Sequence, residues 1–484
     1  MINNKAMNTV VEVLSRLISL NTVVLIVLFV APSMSVAQAP ANTTASGMNV
    51  VFIAVDDLNT RLGTYGHQLV KTPNLDRLAK RGIRFDRAYA QATVCNPSRT
   101  SFLSGLRPDT TGVYSNQVNP RFVMKDVVFM PEHFRKNGYL TARIGKIFHD
   151  ELYITATTVD DPRSWDVALN PKGTPRHLEG EGSNLTNNKY PWFRWLAAKG
   201  TDDDQPDGEA ALEAVRFLER HHSQQARTAE PFFLALGLRK PHDPYIAPAR
   251  YFDAYPLARL DFPQEPPDDA ADIPPLALPY AKHGLGEQEG REFIRAYYAC
   301  VSFMDAQVGR VLDALERLRL MDNTVIVFFI DHGLHLGEHG WWNKVTLFEP
   351  SARVPLIIAA PSVRGAGKAS ARTVELIDIY PTLAELTRVP MPAGLEGRSL
   401  LPLLNDPTAE WYKPASTVIR RGEKMGRSVR SERYRYTEWD EGRQGSELYD
   451  HENDPHEFRN LVADPKHTQT VAEMKRLLLL PHGK

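Results

Sequence analysis

The chain has 484 residues, with 57 Lys and Arg against 58 Asp and Glu, a formal net charge of -1. That balance leaves no basic excess to hold a nucleic-acid backbone, so nucleic-acid binding is excluded as a leading function. With 43% hydrophobic and 24% charged residues, the composition is globular and supports a sizeable core; disorder, collagen and coiled coil are excluded as the main state, and the length predicts two or three domains.

Residues 17–30 read LISLNTVVLIVLFV, preceded by Lys5 and Arg16 and followed by the small-residue stretch SMSVA. This predicts a signal peptide over residues 1–37, cleaved after Ala37, and an exported, periplasmic or extracellular protein (lysosomal in a eukaryote) with no stable membrane insertion afterwards. The run is shorter than the roughly 20 apolar residues of a bilayer span, and no cysteine follows it to accept a lipid. Only Cys95 and Cys300 are present, so at most one disulfide can form. Cys300 falls in an apolar pattern of helical period and reads as a small buried thiol.

Two short, β-branched apolar runs share one design: residues 50–55 (VVFIAV) end in Asp56-Asp57, and residues 324–330 (TVIVFFI) end in Asp331-His332. Such runs predict strands buried on both faces of a mainly parallel sheet, with polar residues emerging at the carboxyl ends, where ligands of open α/β sheets collect. Helical patterns lie at residues 74–82, 130–138 and 208–222, and further strands at 232–236 and 355–359. The alternation predicts an α/β domain over residues 46–404. Residues 247–286, rich in Pro and Asp, read as a long surface excursion. Beyond Leu404 the short runs ASTVIRR, GRSVRSE, RYRYTEW and SELYD, then VAEMKRLLLL, predict a smaller antiparallel sheet with a terminal helix, a subdomain spanning 405–484.

The segment Cys95-Asn96-Pro97-Ser98-Arg99 carries the chemistry. Asn96 suits an N-cap and Pro97 a first helical turn, so free backbone N–H groups and Arg99 are expected to face Cys95 and activate its thiol. Read alone, a structural cysteine at a helix start fits these residues equally well.

Cys-x-Pro-Ser-Arg resembles the maturation signature of type I, formylglycine-dependent sulfatases. The resemblance continues through FIAVDDLN (52–59), TPNLDRLAKRGIRFDRAYAQ (72–91), GYLTARIGKIFH (138–149), RKPHDPY (239–245), DHGLHLGEHGWWNK (331–344) and ELYDHENDPHEFRNL (447–461). RPDTTGVY (107–114) and the Asp331-His332 pair are most similar to the iduronate-2-sulfatase branch. The resemblance implies an alkaline-phosphatase-like α/β fold and the oxidation of Cys95 to formylglycine by a dedicated maturation enzyme. It also implies a calcium ion held by Asp56, Asp57, Asp331 and His332 with an oxygen of residue 95, a carboxylate-rich set that suits a hard cation although histidine is an unusual calcium ligand.

On that resemblance the aldehyde hydrate at position 95 attacks sulfur, and deprotonation of its second hydroxyl later ejects sulfate and restores the aldehyde. His149 matches the general base and His242 the group that protonates the leaving oxygen. Arg99, Lys146 and Lys344 match the cations that neutralise the sulfate. His335 and His339 fall outside the matched set and are expected to line the pocket. Taken singly, such lysines and histidines are usually surface residues.

The expected substrate is a sulfated carbohydrate, a 2-O-sulfated uronic acid or related sugar. Alternatives are a phosphoester or phosphonate monoester hydrolase of the same superfamily, or a non-catalytic glycan-binding protein. Six arginines and Lys424 between residues 420 and 435 read either as a solvated sheet face or as cations, Arg427 and Arg430 among them, that reach an anionic sugar.

Overall fold

A computed structural model describes residues 47–149, 160–228, 230–279 and 283–479; the expected signal segment lies outside them. In chain order the strands are β1 Asn49–Val55, β2 Ile83–Tyr89, β3 Leu140–Gly145, β4 Val167–Leu169, β5 Gly180–Asn184, β6 Arg194–Ala198, β7 Phe232–Leu238, β8 Tyr245–Pro248, β9 Thr324–Ile330, β10 Arg353–Ala359, β11 Ala369–Glu375, β12 Ala415–Arg421, β13 Lys424–Arg430, β14 Tyr434–Trp439 and β15 Ser446–Asp450. An 8-stranded sheet has the order β11-β2-β10-β9-β1-β7-β3-β4. Only β10 runs against its neighbours; the other pairs are parallel. The expected mainly parallel α/β fold is present.

β1 and β9 are buried at every residue, as continuous apolar strands at the centre of a covered sheet must be. Val55 pairs with Ile330 on one side and Leu238 on the other. Asp56, Asp331 and Arg239 therefore leave three adjacent strands at one edge. At β3 the chain turns through Gly145, at φ 80°; a Cβ there would lie 2.1 Å from the carbonyl oxygen of Gly237, so only glycine lets β3 and β7 approach closely enough to bring Lys146 to the same edge.

The helix Pro73–Arg81 ends before Gly82, as its sequence predicts, and the patterns at 130–138 and 208–222 form Met130–Lys136 and Pro206–Thr228. The helix Glu287–Arg317 buries Cys300, whose thiol burial pushes up to about 12. Both cysteines are free. No helix among the described residues is long and apolar enough to cross a membrane.

The C-terminal runs form the 4-stranded sheet β12-β13-β14-β15, antiparallel throughout, against which the helix Thr468–Leu479 packs Met474 beside Val429, Tyr436 and Leu448. β12 is stitched to the approach to Cys95: Val418 N–H donates to the Gln91 carbonyl at 2.9 Å, and Thr417 Oγ1 to that of Ala90 at 2.7 Å.

The segment 247–286 is more than a surface excursion. It begins in β8, in a 3-stranded sheet with β5 and β6, and buries Phe252, Tyr255, Leu260 and Ala277. Its aromatic and aliphatic residues, spaced without period among prolines, supply the packing that its polar composition conceals.

Candidate active site

The helix Cys95–Ser104 is buried at all ten positions. Phe102 packs against the rings of Phe52 and Phe329 on β1 and β9, with centroids 6.1 and 4.8 Å away. That contact seats the helix start over the strand ends that carry the acidic pairs. Val94, in extended conformation, precedes the helix as its cap, so Asn96 is not the N-cap expected from its residue type. Its buried side chain instead donates to the carbonyls of Ser115 and Val118 at 2.9 and 2.7 Å, while its own N–H is taken by Asn116 Oδ1 at 3.0 Å. With Pro97 lacking an N–H, side-chain cations rather than backbone donors supply most of the positive charge near Cys95.

Lys344 Nζ lies 3.2 Å from Cys95 Sγ and 2.7 Å from Asp57 Oδ1. Lys146 Nζ reaches Asp56 Oδ2 at 2.5 Å. His332 Nε2 is 3.3 Å from Cys95 Sγ, and His242 Nε2 is 3.8 Å from Asp57 Oδ2. Arg99 grips Asp331 at 2.9 Å and Asp56 at 3.4 Å, and also donates to the carbonyls of Lys146 and Ile147. His149, also buried, follows two residues after Ile147. Nine of the ten residues singled out by sequence thus converge by direct contact with one another, and the tenth, His149, is buried two residues beyond a carbonyl that Arg99 holds.

The electrostatics follow from burial and these contacts. Burial raises the Cys95 thiol, but Lys344, Lys146 and His332 outweigh it and hold the thiol well below its ordinary range. Burial also raises Asp56, yet Lys146, His242 and Arg99 hold it far below. Asp331 is pushed up to about 7 by burial, against the pull of Arg99. For His242 burial acts downward, but Asp57 and Asp243 push it up to about 9.

Two overlapping sets, Asp56, Asp57, Cys95, His242 and Asp56, Cys95, Asp331, His332, have ligand atoms within 4.8 Å of one another. Ligands on opposite sides of a calcium ion, each at about 2.3–2.6 Å, stand at that separation. Three carboxylates are matched by Arg99, Lys146 and Lys344, so a dication entering with an anionic substrate leaves the buried charge near balance.

Several contributors were not legible as site residues. Ser98 Oγ donates to the Asp331 carbonyl at 2.5 Å, and Trp341 Nε1 donates to that of Lys344 at 2.8 Å. The Tyr297 hydroxyl donates to the Asp57 carbonyl at 2.8 Å. Tyr297 sits in an apolar helical pattern and reads as core. His335 bonds Thr346 and the Glu338 carbonyl, and His339 pairs with Asp269; neither joins the cluster around Cys95. The basic run divides between the solvated face, where Arg420 and Arg433 are exposed, and the interior. Arg430 and Arg435 are buried beside Glu349, Arg427 pairs with Asp109 and Arg433 with Asp450. Antiparallel alternation sends some of these side chains inward, where buried carboxylates meet them.

The profile of the sulfatase family matches residues 48–389, and one described as N-sulphoglucosamine sulphohydrolase, C-terminal, matches residues 337–481. The chain is 35% identical to a sulfatase of Formosa agariphila, covering 89% of this chain and 86% of that one. It is 32% identical to human iduronate 2-sulfatase, covering 83% and 87%. A solved structure of a 2-O GAG sulfatase aligns with TM-score 0.70 at 25% identity, covering 89% and 91%. A profile spanning most of the folded chain and relatives aligned over more than four fifths of it establish that the chain belongs to the sulfatase family and hydrolyses sulfuric esters.

Proposed function

We propose that this sulfatase removes the 2-O-sulfate from a uronic acid or related sugar of a sulfated glycan, with Cys95 matured to formylglycine and one calcium ion in the carboxylate cluster. The observation that carries the reading is the convergence of Asp56, Asp57, Asp331, His332 and Lys344 on Cys95. Likeness to iduronate 2-sulfatase and to the 2-O GAG sulfatase supports the sugar position. The working division is a catalytic domain over 46–404 and a C-terminal subdomain over 405–484, in a protein exported through residues 1–37 after meeting its maturation enzyme.

Asp56, Asp57, Asp331 and His332 would hold the ion, whose positive charge would offset that of the sulfate and favour the negative charge that develops during attack. The aldehyde hydrate at position 95 supplies a hydroxyl to attack sulfur and a second one whose deprotonation releases sulfate. Lys344 and Lys146 flank position 95 and bind the sulfate oxygens. Arg99, engaged by Asp56 and Asp331, acts from behind by fixing both carboxylates. His242, whose Nδ1 lies 2.8 Å from the Asp243 carbonyl, presents Nε2 to protonate the leaving oxygen, and His149 takes the proton from position 95.

The test is free sulfate released from a 2-O-sulfated uronate disaccharide by calcium-supplied protein whose residue 95 is confirmed as formylglycine by mass. Release that disappears in Cys95→Ala supports the reading. Release only from other sulfated sugars overturns the sugar assignment, and faster cleavage of a matched phosphate ester overturns the preference for sulfate.

A further inference from the structure

Lys344, the cation nearest Cys95, precedes a backbone anomaly. Val345 has φ 74°, in the left-handed region that a β-branched residue enters only under constraint. Nothing in the local sequence favours that conformation: the segment reads Asn343-Lys344-Val345-Thr346, with no glycine. It has to be imposed from outside.

The constraint comes from the C-terminal sheet. Arg421, the last residue of β12, donates a hydrogen bond from its guanidinium to the Val345 carbonyl. The guanidinium lies over the ring of Trp439 on β14, 5.8 Å from its centroid, and is half-buried between the two. On the other side of the turn, Trp341 Nε1 holds the Lys344 carbonyl at 2.8 Å and Asn343 Oδ1 accepts from Lys344 N–H at 2.8 Å. Successive carbonyls are thus pinned from two sides, and the Lys344 side chain is aimed at Asp57 and Cys95.

The site uses this device twice. Asp57, the partner of Lys344, also has a left-handed backbone, φ 61°, and its carbonyl is held by the Tyr297 hydroxyl from the helix Glu287–Arg317. Aspartate tolerates that conformation; valine does not, so the demand on its clamp is greater. β12 also carries the bonds from Thr417 and Val418 to the segment that leads into Cys95. One strand of the small sheet therefore touches the chain on both sides of the nucleophile.

We propose that Arg421 is a positioning residue of this sulfatase: by holding the Val345 carbonyl it keeps the turn that aims Lys344 at position 95. The inference rests on the role given to Lys344 above. It assigns the basic C-terminal run a part in the reaction through backbone geometry rather than through contact with an anionic sugar.

The test is a double-mutant cycle with two readouts, turnover of the 2-O-sulfated uronate disaccharide and binding of inorganic sulfate followed by thermal shift, both in calcium-supplied protein. Glycine adopts φ near 74° without strain, so Val345→Gly makes the clamp dispensable. Arg421→Ala alone is expected to lower kcat and weaken sulfate binding about tenfold, the scale of a small misplacement of a binding group. In the Val345→Gly background the same change is expected to cost less than about threefold. An equal loss in both backgrounds overturns the inference and points to direct contact between Arg421 and substrate. Should Val345→Gly fail to fold, Val345→Asn serves in its place, since asparagine also enters the left-handed region. Lys344→Ala separates the two ideas: sulfate binding unchanged in that variant overturns the role of Lys344 itself, whatever the cycle gives. A wild-type protein that neither turns over the disaccharide nor binds sulfate overturns both.

Discussion

Asp56 and Asp331 leave neighbouring strands at the same level, because Val55 pairs with Ile330 across β1 and β9, and the Arg99 guanidinium bridges the two carboxylates. All three side chains are essentially inaccessible to solvent. A cation in this position lets two like charges share a dry site, at the price of making the site depend on it.

Arg99→Met should therefore destabilise the fold by about 3–5 kcal/mol, the usual effect of stripping one partner from a buried ion pair. Urea unfolding at neutral pH measures it. A loss below about 1 kcal/mol would mean that the carboxylates find other partners.

Cys95→Ala is expected to abolish sulfate release while the protein remains folded, since the side chain removed is small and the packing of Phe102 on β1 and β9 is untouched. Ion chromatography of released sulfate, beside a thermal melt, checks both halves. Residual turnover would transfer the nucleophile to another group.

Removing divalent cations should lower both turnover and melting temperature. Calcium restored to about a hundred times its Kd should add about 2.7 kcal/mol of stability. Asp57→Asn, which takes one charge from the ligand set, should shift that response to higher calcium. Chelation without effect on either quantity would sink the ion assignment.

Acid should loosen the fold through His335. Burial draws its pKa down to about 4, against about 6.5 in an unfolded chain. Between these values the unfolded state binds the extra proton, so stability is present above about pH 6.5 and is lost as pH falls toward 4, by roughly 3 kcal/mol at most. Nδ1 lies 3.0 Å from the Glu338 carbonyl, to which it donates, and Nε2 lies 2.7 Å from Thr346 Oγ1. His335→Gln should flatten the stability profile over this window; an unchanged slope would assign the acid sensitivity to other groups.

Much of the architecture was readable from local pattern. β9 has the bounds that its apolar run sets, and β12 and β15 coincide with ASTVIRR and SELYD, because strands buried on one or both faces advertise themselves through composition and period. β2, β3 and β11 were not separable by pattern. They carry polar residues within the sheet, such as Arg143, which is buried through bonds to the Gly145 carbonyl and Asn170, and a buried arginine with partners looks like a surface arginine in one dimension.

Residue pattern alone was enough to single out the side chains to which the chemistry is assigned: Cys95 in its motif, the acidic pairs that end two apolar runs, and the lysines and histidines in matched segments. Tertiary structure alone decided how they are held. The Asn96 side chain turns away from Cys95 toward Ser115 and Val118, Arg99 serves Asp56 and Asp331, and the arginines of the C-terminal sheet divide among Glu349, Asp109, Asp450 and the Val345 carbonyl. The reason is range. A residue type and its neighbours limit what a side chain can do, but a buried charge or a strained carbonyl takes its partner from chain tens to hundreds of residues away, and only the packed fold brings that partner within hydrogen-bonding distance.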